Sequence, residues 1–186
     1  MYKKVKKIID DVVLNIKPVT RPSTKFVKER ENDNELVVVE IGTELGYNAL
    51  SILTELNVKK IYLIDPYEDY VMDGEVQKIG DAQKKHAMKV LSDYRDRIVL
   101  IRKYSQDAIG DIPDDVDFIY VDGNHDESSV KKDIELYYSK LKRNGVLAGH
   151  DFYADCVGLC KAVMEFSEKN KLKLYGKDAD WWIVKP

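Results

Sequence analysis

LVVVEIGTELG, residues 36–46, is the stretch that decides the fold. Its first six residues are almost wholly apolar and rich in valine, the pattern of a strand covered on both faces rather than one with a wet side. The run stops at Gly42, and after Thr43-Glu44-Leu45 a second glycine, Gly46, leads into a helical pattern beginning near Tyr47. Outward from there the alternation repeats. KIYLID (60–65), RIVLIR (97–102), VDFIYV (116–121) and VLAGH (146–150) read as strands, with helical segments at about 46–56, 78–93, 127–141 and 155–169. Strands alternating with helices predict a doubly wound, mostly parallel sheet of the α/β class. The tail departs from this rhythm. KLKLY (171–175) and DWWIV (180–184) are separated only by GKDA, too short for a helical crossover, so they are expected to form an antiparallel hairpin at the edge of a seven-stranded sheet.

A chain of 186 residues suits a single domain, 1–186, with an N-terminal helix and connector over 1–34 and the α/β core over 36–186. Thirty Lys+Arg against 33 Asp+Glu give a net charge of −3, which is not the basic body of a nucleic-acid binder. The charge is uneven: residues 1–30 hold nine Lys/Arg and three Asp/Glu, leaving 21 against 30 for the rest. Val5, Ile8, Ile9, Val12, Val13 and Ile16 follow helical spacing, so the basic segment predicts an amphipathic helix. It reads first as a docked helix with a solvated lysine face, and second as an arm that meets substrate or joins two copies in a homodimer. Pro18 and Pro22 read as breakers that open a polar connector through Asn34. No apolar run approaches the ~20 residues of a membrane span, so no membrane partner is expected. Asp10, Asp11 and Asn15 interrupt the apolar positions that a signal peptide would need, and a cytoplasmic location follows. Cys156 and Cys160, four apart on a predicted helix with no other cysteines, read as buried packing rather than a metal site. His86, on another helix without a partner in sequence, reads as surface.

In an open parallel sheet ligands bind outside the carboxyl ends of the strands, so the residues just after each strand carry the chemistry. Gly42 permits a tight turn and close approach of backbone to ligand, and Gly46 lets the helix start close to the strand. The glycines do not make a dinucleotide fingerprint. Glu44 occupies the middle position, where a pyrophosphate would meet a carboxylate. Asp65 ends the second strand about twenty residues on, where an acidic side chain accepts from both ribose hydroxyls. Those two strand ends describe a nucleoside site without a diphosphate. The third strand leads to Tyr104-Ser105-Gln106-Asp107, polar groups suited to an adenine edge, with Ser105 alternatively a plain helix cap. The fourth ends in Asp122-Gly123-Asn124-His125-Asp126 and the fifth in Gly149-His150-Asp151-Phe152. Asp122, His125, His150 and Asp151 therefore converge on one sheet edge. The stretch from Tyr67 through Gly80 mixes acids, glycines and isolated apolar residues, and reads as a mobile flap beside the opening.

The set EIGTELG, LIDPY, YSQDAI, DFIYVDGNHD and GVLAGHDF, in this order and spacing, resembles the class I S-adenosylmethionine-dependent methyltransferases, over roughly residues 36–152. Within them it is most similar to the small O-methyltransferases related to catechol O-methyltransferase and to the macrocin-type sugar O-methyltransferases. The resemblance implies a Rossmann-like fold, S-adenosylmethionine as cofactor, and methyl transfer to a hydroxyl of a small molecule or sugar. It places Glu40, Gly42 and Gly46 at the methionine part of the cofactor, Asp65 at the ribose, and Ser105 and Gln106 at the adenine, with Asp122 adjoining the cofactor. It also implies a divalent metal, Mg or Mn, on Asp122, His150 and Asp151, with His125 and Asp122 as the catalytic residues and His125 as the base. Relatives carry Asp-Asn or Asp-Asp where this chain has His150-Asp151. A histidine there either points away or favours a softer ion such as manganese. Two other readings keep the same motifs: a methyltransferase-like protein of the cephalosporin hydroxylase group, and a cofactor-binding module without turnover.

Overall fold

The computed structural model describes residues 19–31, 33–72, 75–77 and 80–186; the basic helix expected over 5–16 lies outside them. The core is a seven-stranded sheet of β1 (Leu36–Ile41), β2 (Val58–Ile64), β5 (Ile98–Ile101), β6 (Val116–Val121), β7 (Leu141–Gly149), β8 (Tyr175–Lys177) and β9 (Asp180–Val184). Their order across the sheet is β5-β2-β1-β6-β7-β9-β8. All neighbours up to β7 run parallel, β9 is antiparallel to β7, and β8 is antiparallel to β9. The expected Rossmann-like sheet with a C-terminal hairpin at its edge is therefore present.

Helices α2 (Tyr47–Glu55), α3 (Asp81–Val90), α5 (Glu127–Lys140) and α6 (Val157–Lys169), with the short α4 (Ser105–Ala108), cover the two faces. The reason lies in the strands' two-residue period: Val39, Ile41, Ile119 and Val121 face one layer, Val38, Phe118 and Tyr120 the other. The first layer buries Val130, Ile134 and Tyr137 of α5 and Ala162, Val163 and Phe166 of α6; the second buries Ala49, Ile52 and Leu53 of α2. Each fully buried branched side chain contributes roughly 1.5–3 kcal/mol, so both faces are strongly specified. Among the described residues no helix is long and apolar enough to cross a membrane.

Three expectations are corrected. Residues 18–34 are not a plain connector, because Pro22–Glu31 form a helix, α1. Pro22 opens it at the first helical position, where a missing N–H costs nothing. Ser23, Thr24 and Val27 are buried, and the Ser23 amide and hydroxyl both donate to Asp180 Oδ2 on β9, at 3.0 and 2.5 Å. Second, only Tyr175 of KLKLY is strand. Lys171 takes φ 53°, its amide donates to Glu168 O and that of Leu172 to Ser167 O, a Schellman end that spends these residues on terminating α6. Third, the flap is not simply irregular: it holds a small antiparallel hairpin, β3 (Tyr70–Met72) with β4 (Glu75–Gln77). Tyr67 does not belong to it, being 1% exposed in the core.

Candidate active site

The carboxyl ends of β1, β2, β5, β6 and β7 open into one cleft of about 690 Å³. Gly42, Gly46, Asp65, Ser105, Gln106, Asp122, His125 and Asp151 all line it. Glu40 lies buried beneath the end of β1, and His150 stands behind Asp151, outside the lining.

At the β1 end, Gly42 has φ 86°, and a Cβ there would fall 1.9 Å from the Asp122 carbonyl oxygen. The close approach this glycine permits is thus to the β6 backbone. Gly46, at φ 80°, starts α2 with 3.2 Å between its missing Cβ and Ala87 of α3. Asp65 is held rigidly: its Oδ2 accepts from the Glu44 amide at 2.8 Å and its Oδ1 from the Tyr67 amide at 2.7 Å. Burial raises its pKa against the pull of these bonds. Glu40 is 1% exposed; Oε1 accepts from Asn48 Nδ2 at 2.9 Å, while Oε2 has no hydrogen-bond partner among the described residues. Burial, reinforced by Asp122 and Asp65, pushes its pKa up to about 8. The Asn48 Oδ1 atom is likewise buried and unpartnered.

Past β5, the Ser105 hydroxyl donates to Asp133 Oδ1 of α5 at 2.5 Å, and Gln106 is exposed at the rim. Ser105 is therefore not a helix cap: Tyr104 holds the N-cap of α4, and the Ser105 hydroxyl is spent on Asp133. Asp133, also lining the cleft, has its pKa pushed up to about 6 by burial, with the Ser105 bond pulling it back.

The β6 and β7 ends bring together an acid and imidazole cluster. His125 Nε2 lies 2.9 Å from Asp151 Oδ2, and His150 Nδ1 lies 3.1 Å from Asp151 Oδ1. Burial raises the Asp151 pKa, but hydrogen bonds to the two histidines outweigh it and hold the carboxyl well below the usual range. Asp122 is pushed up to about 6, by burial and then by Asp151, against the pull of His150, Arg21 and His125. Ligand-capable atoms of Asp122, His125 and Asp151 lie within 4.8 Å of one another. The histidine that completes this group is His125. The ring of His150 faces Asp151 on one side and, through Nε2, the Arg21 guanidinium at 2.5 Å on the other.

Arg21, Asn48 and Asp133 are the site residues that the strand-end reading missed. Asp133 and Asn48 carry a faint signal as polar residues on the inner faces of helices following site strands. Arg21 carries none, since it comes from the segment read as connector. His86 is half-buried rather than on the surface, 3.0 Å from the Tyr47 hydroxyl at the cleft rim. Cys156 and Cys160 are free and only partly buried, and the Cys160 thiol donates to Tyr153 O at 3.3 Å.

The cleft thus opens at the carboxyl ends of a sheet ordered β5-β2-β1-β6-β7-β9-β8. The family profile of a methyltransferase domain matches residues 39–152, and the chain belongs to that family. The chain is similar to an uncharacterized protein of Acanthamoeba polyphaga mimivirus, 25% identical over 124 residues, 64% of this chain and 52% of the viral protein. It spans about half the length of the curated relative it matches. Among solved structures it is similar to an O-methyltransferase from Bacillus cereus in complex with SAH (TM-score 0.67, 14% identity, 98% of this chain and 90% of that one). A methyltransferase from Geobacter sulfurreducens is also similar (TM-score 0.63, 16% identity, 99% and 87%). So is an rRNA methylase from Streptococcus thermophilus (TM-score 0.63, 18% identity, 89% and 96%). At these identities the likeness concerns the fold, and one fold serving an O-methyltransferase and an rRNA methylase leaves the acceptor to be argued from the site.

Proposed function

We propose that this methyltransferase uses S-adenosylmethionine to methylate a hydroxyl group of a small molecule or sugar. The observation that carries the reading is the division of one cleft into a nucleoside-suited end, with Asp65, Ser105 and Gln106, and an acid–base end, with His125 hydrogen-bonded to Asp151. The cofactor fits the residues present. Glu40 Oε2 and Asn48 Oδ1 are two buried oxygens without hydrogen-bond partners among the described residues, and an amino-acid ammonium is a donor that matches both once Glu40 is ionised. When bound, the sulfonium supplies an electrophilic methyl group.

The chain's own residues supply position and a proton acceptor. Asp65, fixed by two amides, offers its remaining lone pairs to vicinal hydroxyls. Arg21 has only donors, so at 2.5 Å it requires a lone pair on His150 Nε2. His150 then carries its proton on Nδ1 and donates to Asp151 Oδ1, leaving Oδ2 to accept from His125 Nε2. His125, held by this bond, is the group that takes the acceptor's proton. A positioned base of this kind contributes about 10²–10⁴ in rate.

Asp122, His125 and Asp151 fit a divalent ion, and their mixed oxygen and nitrogen donors suit manganese better than magnesium. Such an ion lowers the pKa of a hydroxyl beside it. The 2.9 Å bond between His125 and Asp151 favours the base reading. Calorimetry with S-adenosylhomocysteine, with and without Mn²⁺, and transfer of labelled methyl to a panel of phenols, catechols and sugars test the proposal together. Binding with hydroxyl methylation is expected. Absence of S-adenosylhomocysteine binding, or methylation confined to nitrogen acceptors or RNA, overturns it.

A further inference from the structure

Helix α5 reaches the loop after β5 with two side chains one turn apart. Asp133 accepts from the Ser105 hydroxyl at 2.5 Å, and the Tyr137 hydroxyl donates to the Ser105 carbonyl at 2.7 Å. Asp133 is 5% exposed, yet it lines the cleft with Ser105 and Gly123. Its second oxygen lies 3.9 Å from where a Cβ on Gly123 would stand, so the carboxylate sits under the floor between the loops that follow β5 and β6. An ionised carboxylate only accepts, and a serine hydroxyl has one proton. That proton is committed to Asp133, and Ser105 Oγ turns only lone pairs toward a third group. The Tyr137 bond holds the Ser105 backbone, so the hydroxyl cannot escape by moving the loop.

We propose that Asp133 is a positioning residue that makes Ser105 an acceptor-only group, selecting a nucleoside whose purine carries a 6-amino group over one carrying a 6-oxo group. The proposal rests on the reading above that Ser105 faces the base. A 6-amino group donates to the Ser105 lone pairs. A 6-oxo group meets them lone pair to lone pair, and a buried polar mismatch of that kind discriminates more strongly than any change of shape. Without Asp133 the hydroxyl rotates, presents either donor or acceptor, and reads nothing.

The test is calorimetric and needs no methyl acceptor: S-adenosylhomocysteine and S-inosylhomocysteine are titrated at neutral pH into the whole protein and its variants. The wild type is expected to favour the 6-amino ligand by at least about tenfold. In Asp133→Ala that ratio is expected to fall by about fivefold or more, chiefly through tighter binding of the 6-oxo ligand. Ser105→Ala gives the same fall, and the double variant no further one, because the two residues act as a single device. Tyr137→Phe weakens both ligands alike and keeps the ratio, separating loop support from selection. Should Asp133→Ala fail to fold, Asp133→Asn keeps the shape but offers the hydroxyl either a donor or an acceptor, and the ratio is expected to fall partway. An unchanged ratio in a folded Asp133 variant that still binds both ligands overturns the proposal, as do independent, additive losses. A wild type that binds neither ligand overturns the cofactor reading itself, and this proposal with it.

Discussion

At the end of β2, Asp65 is held by amides two and 21 residues away along the chain, whereas at the end of β7, Asp151 is held by two imidazoles, one backed by Arg21, 129 residues from His150. The first arrangement is built within one β1–α2–β2 unit, from the loops that follow β1 and β2. The second is assembled from three segments, those before α1, after β6 and after β7, and exists only when the whole sheet and α1 are in place. A site that holds still at one end and depends on distant parts at the other suits a bound cofactor facing a variable acceptor.

The largest expected effect lies at the assembled end. His125→Ala should lower turnover by about 10²–10⁴ and leave S-adenosylhomocysteine affinity within about twofold, since the proton acceptor touches only the hydroxyl. The loss should shrink for more acidic acceptors. Loss of activity in EDTA, restored by Mn²⁺, would instead give His125 to a metal and break the contrast between base and cofactor ends.

Next comes the anchor that brings Arg21 to the site. Asp180, fully buried, accepts from the Ser23 amide and hydroxyl and from the Tyr120 hydroxyl at 2.7 Å. Asp180→Asn leaves at least one of these donors unmatched, which should cost about 1–3 kcal/mol in urea unfolding. Because Ser23 is two residues from Arg21, turnover should fall as well while cofactor affinity holds. A variant that loses stability without losing turnover would show that the position of Arg21 is not set by this anchor.

These dependences also explain what could be read from the sequence. The sheet was legible because LVVVEI and VDFIYV are buried on both faces, and that burial writes itself as an unbroken apolar run. That Asp65, Ser105, Asp122, His125 and Asp151 meet in one cleft was legible because they lie in the loops that follow strands, and the topology assembles strand ends. Helix α1 was not. Its mean character is polar, its buried positions are Ser23, Thr24 and Val27, and what stabilises it is a hydrogen-bonded carboxylate on β9 that no local pattern announces. Arg21 went with it. His150, read as a metal ligand, stands outside the cleft lining, and the direction its ring faces depends on Arg21 just before that same helix.

A smaller effect is expected at the locally built end. Asp65→Ala should weaken S-adenosylhomocysteine binding about tenfold, or 1.4 kcal/mol, by removing charge-assisted bonds to the ribose. It also frees the amides of Glu44 and Tyr67, so the comparison needs Asp65→Asn, which can keep one amide bond and should recover part of the affinity. No change in either variant would mean that Asp65 serves the turn alone.

The smallest effect concerns Glu40, and it is read first as a released proton. With its pKa pushed up to about 8 by burial, Glu40 is mostly protonated in the free protein at pH 7, whereas in the unfolded chain it ionises near its ordinary 4.5. The folded state therefore binds the extra proton between those values. The stability this contributes is present in full below pH 4.5 and is lost as pH rises toward 8. Glu40→Gln should flatten that decline in the free protein. A ligand ammonium placed against Glu40 Oε2 favours the ionised carboxylate and expels the proton, so binding at pH 7 should release up to about one proton and tighten as pH rises toward 8. Calorimetry of S-adenosylhomocysteine in buffers of different ionisation enthalpy reads the released proton directly. The release should vanish in Glu40→Gln and at a pH well above 8, where the carboxylate is already ionised. Equal release in wild type and Glu40→Gln would place the ammonium elsewhere and leave Glu40 as a neutral, buried partner of Asn48.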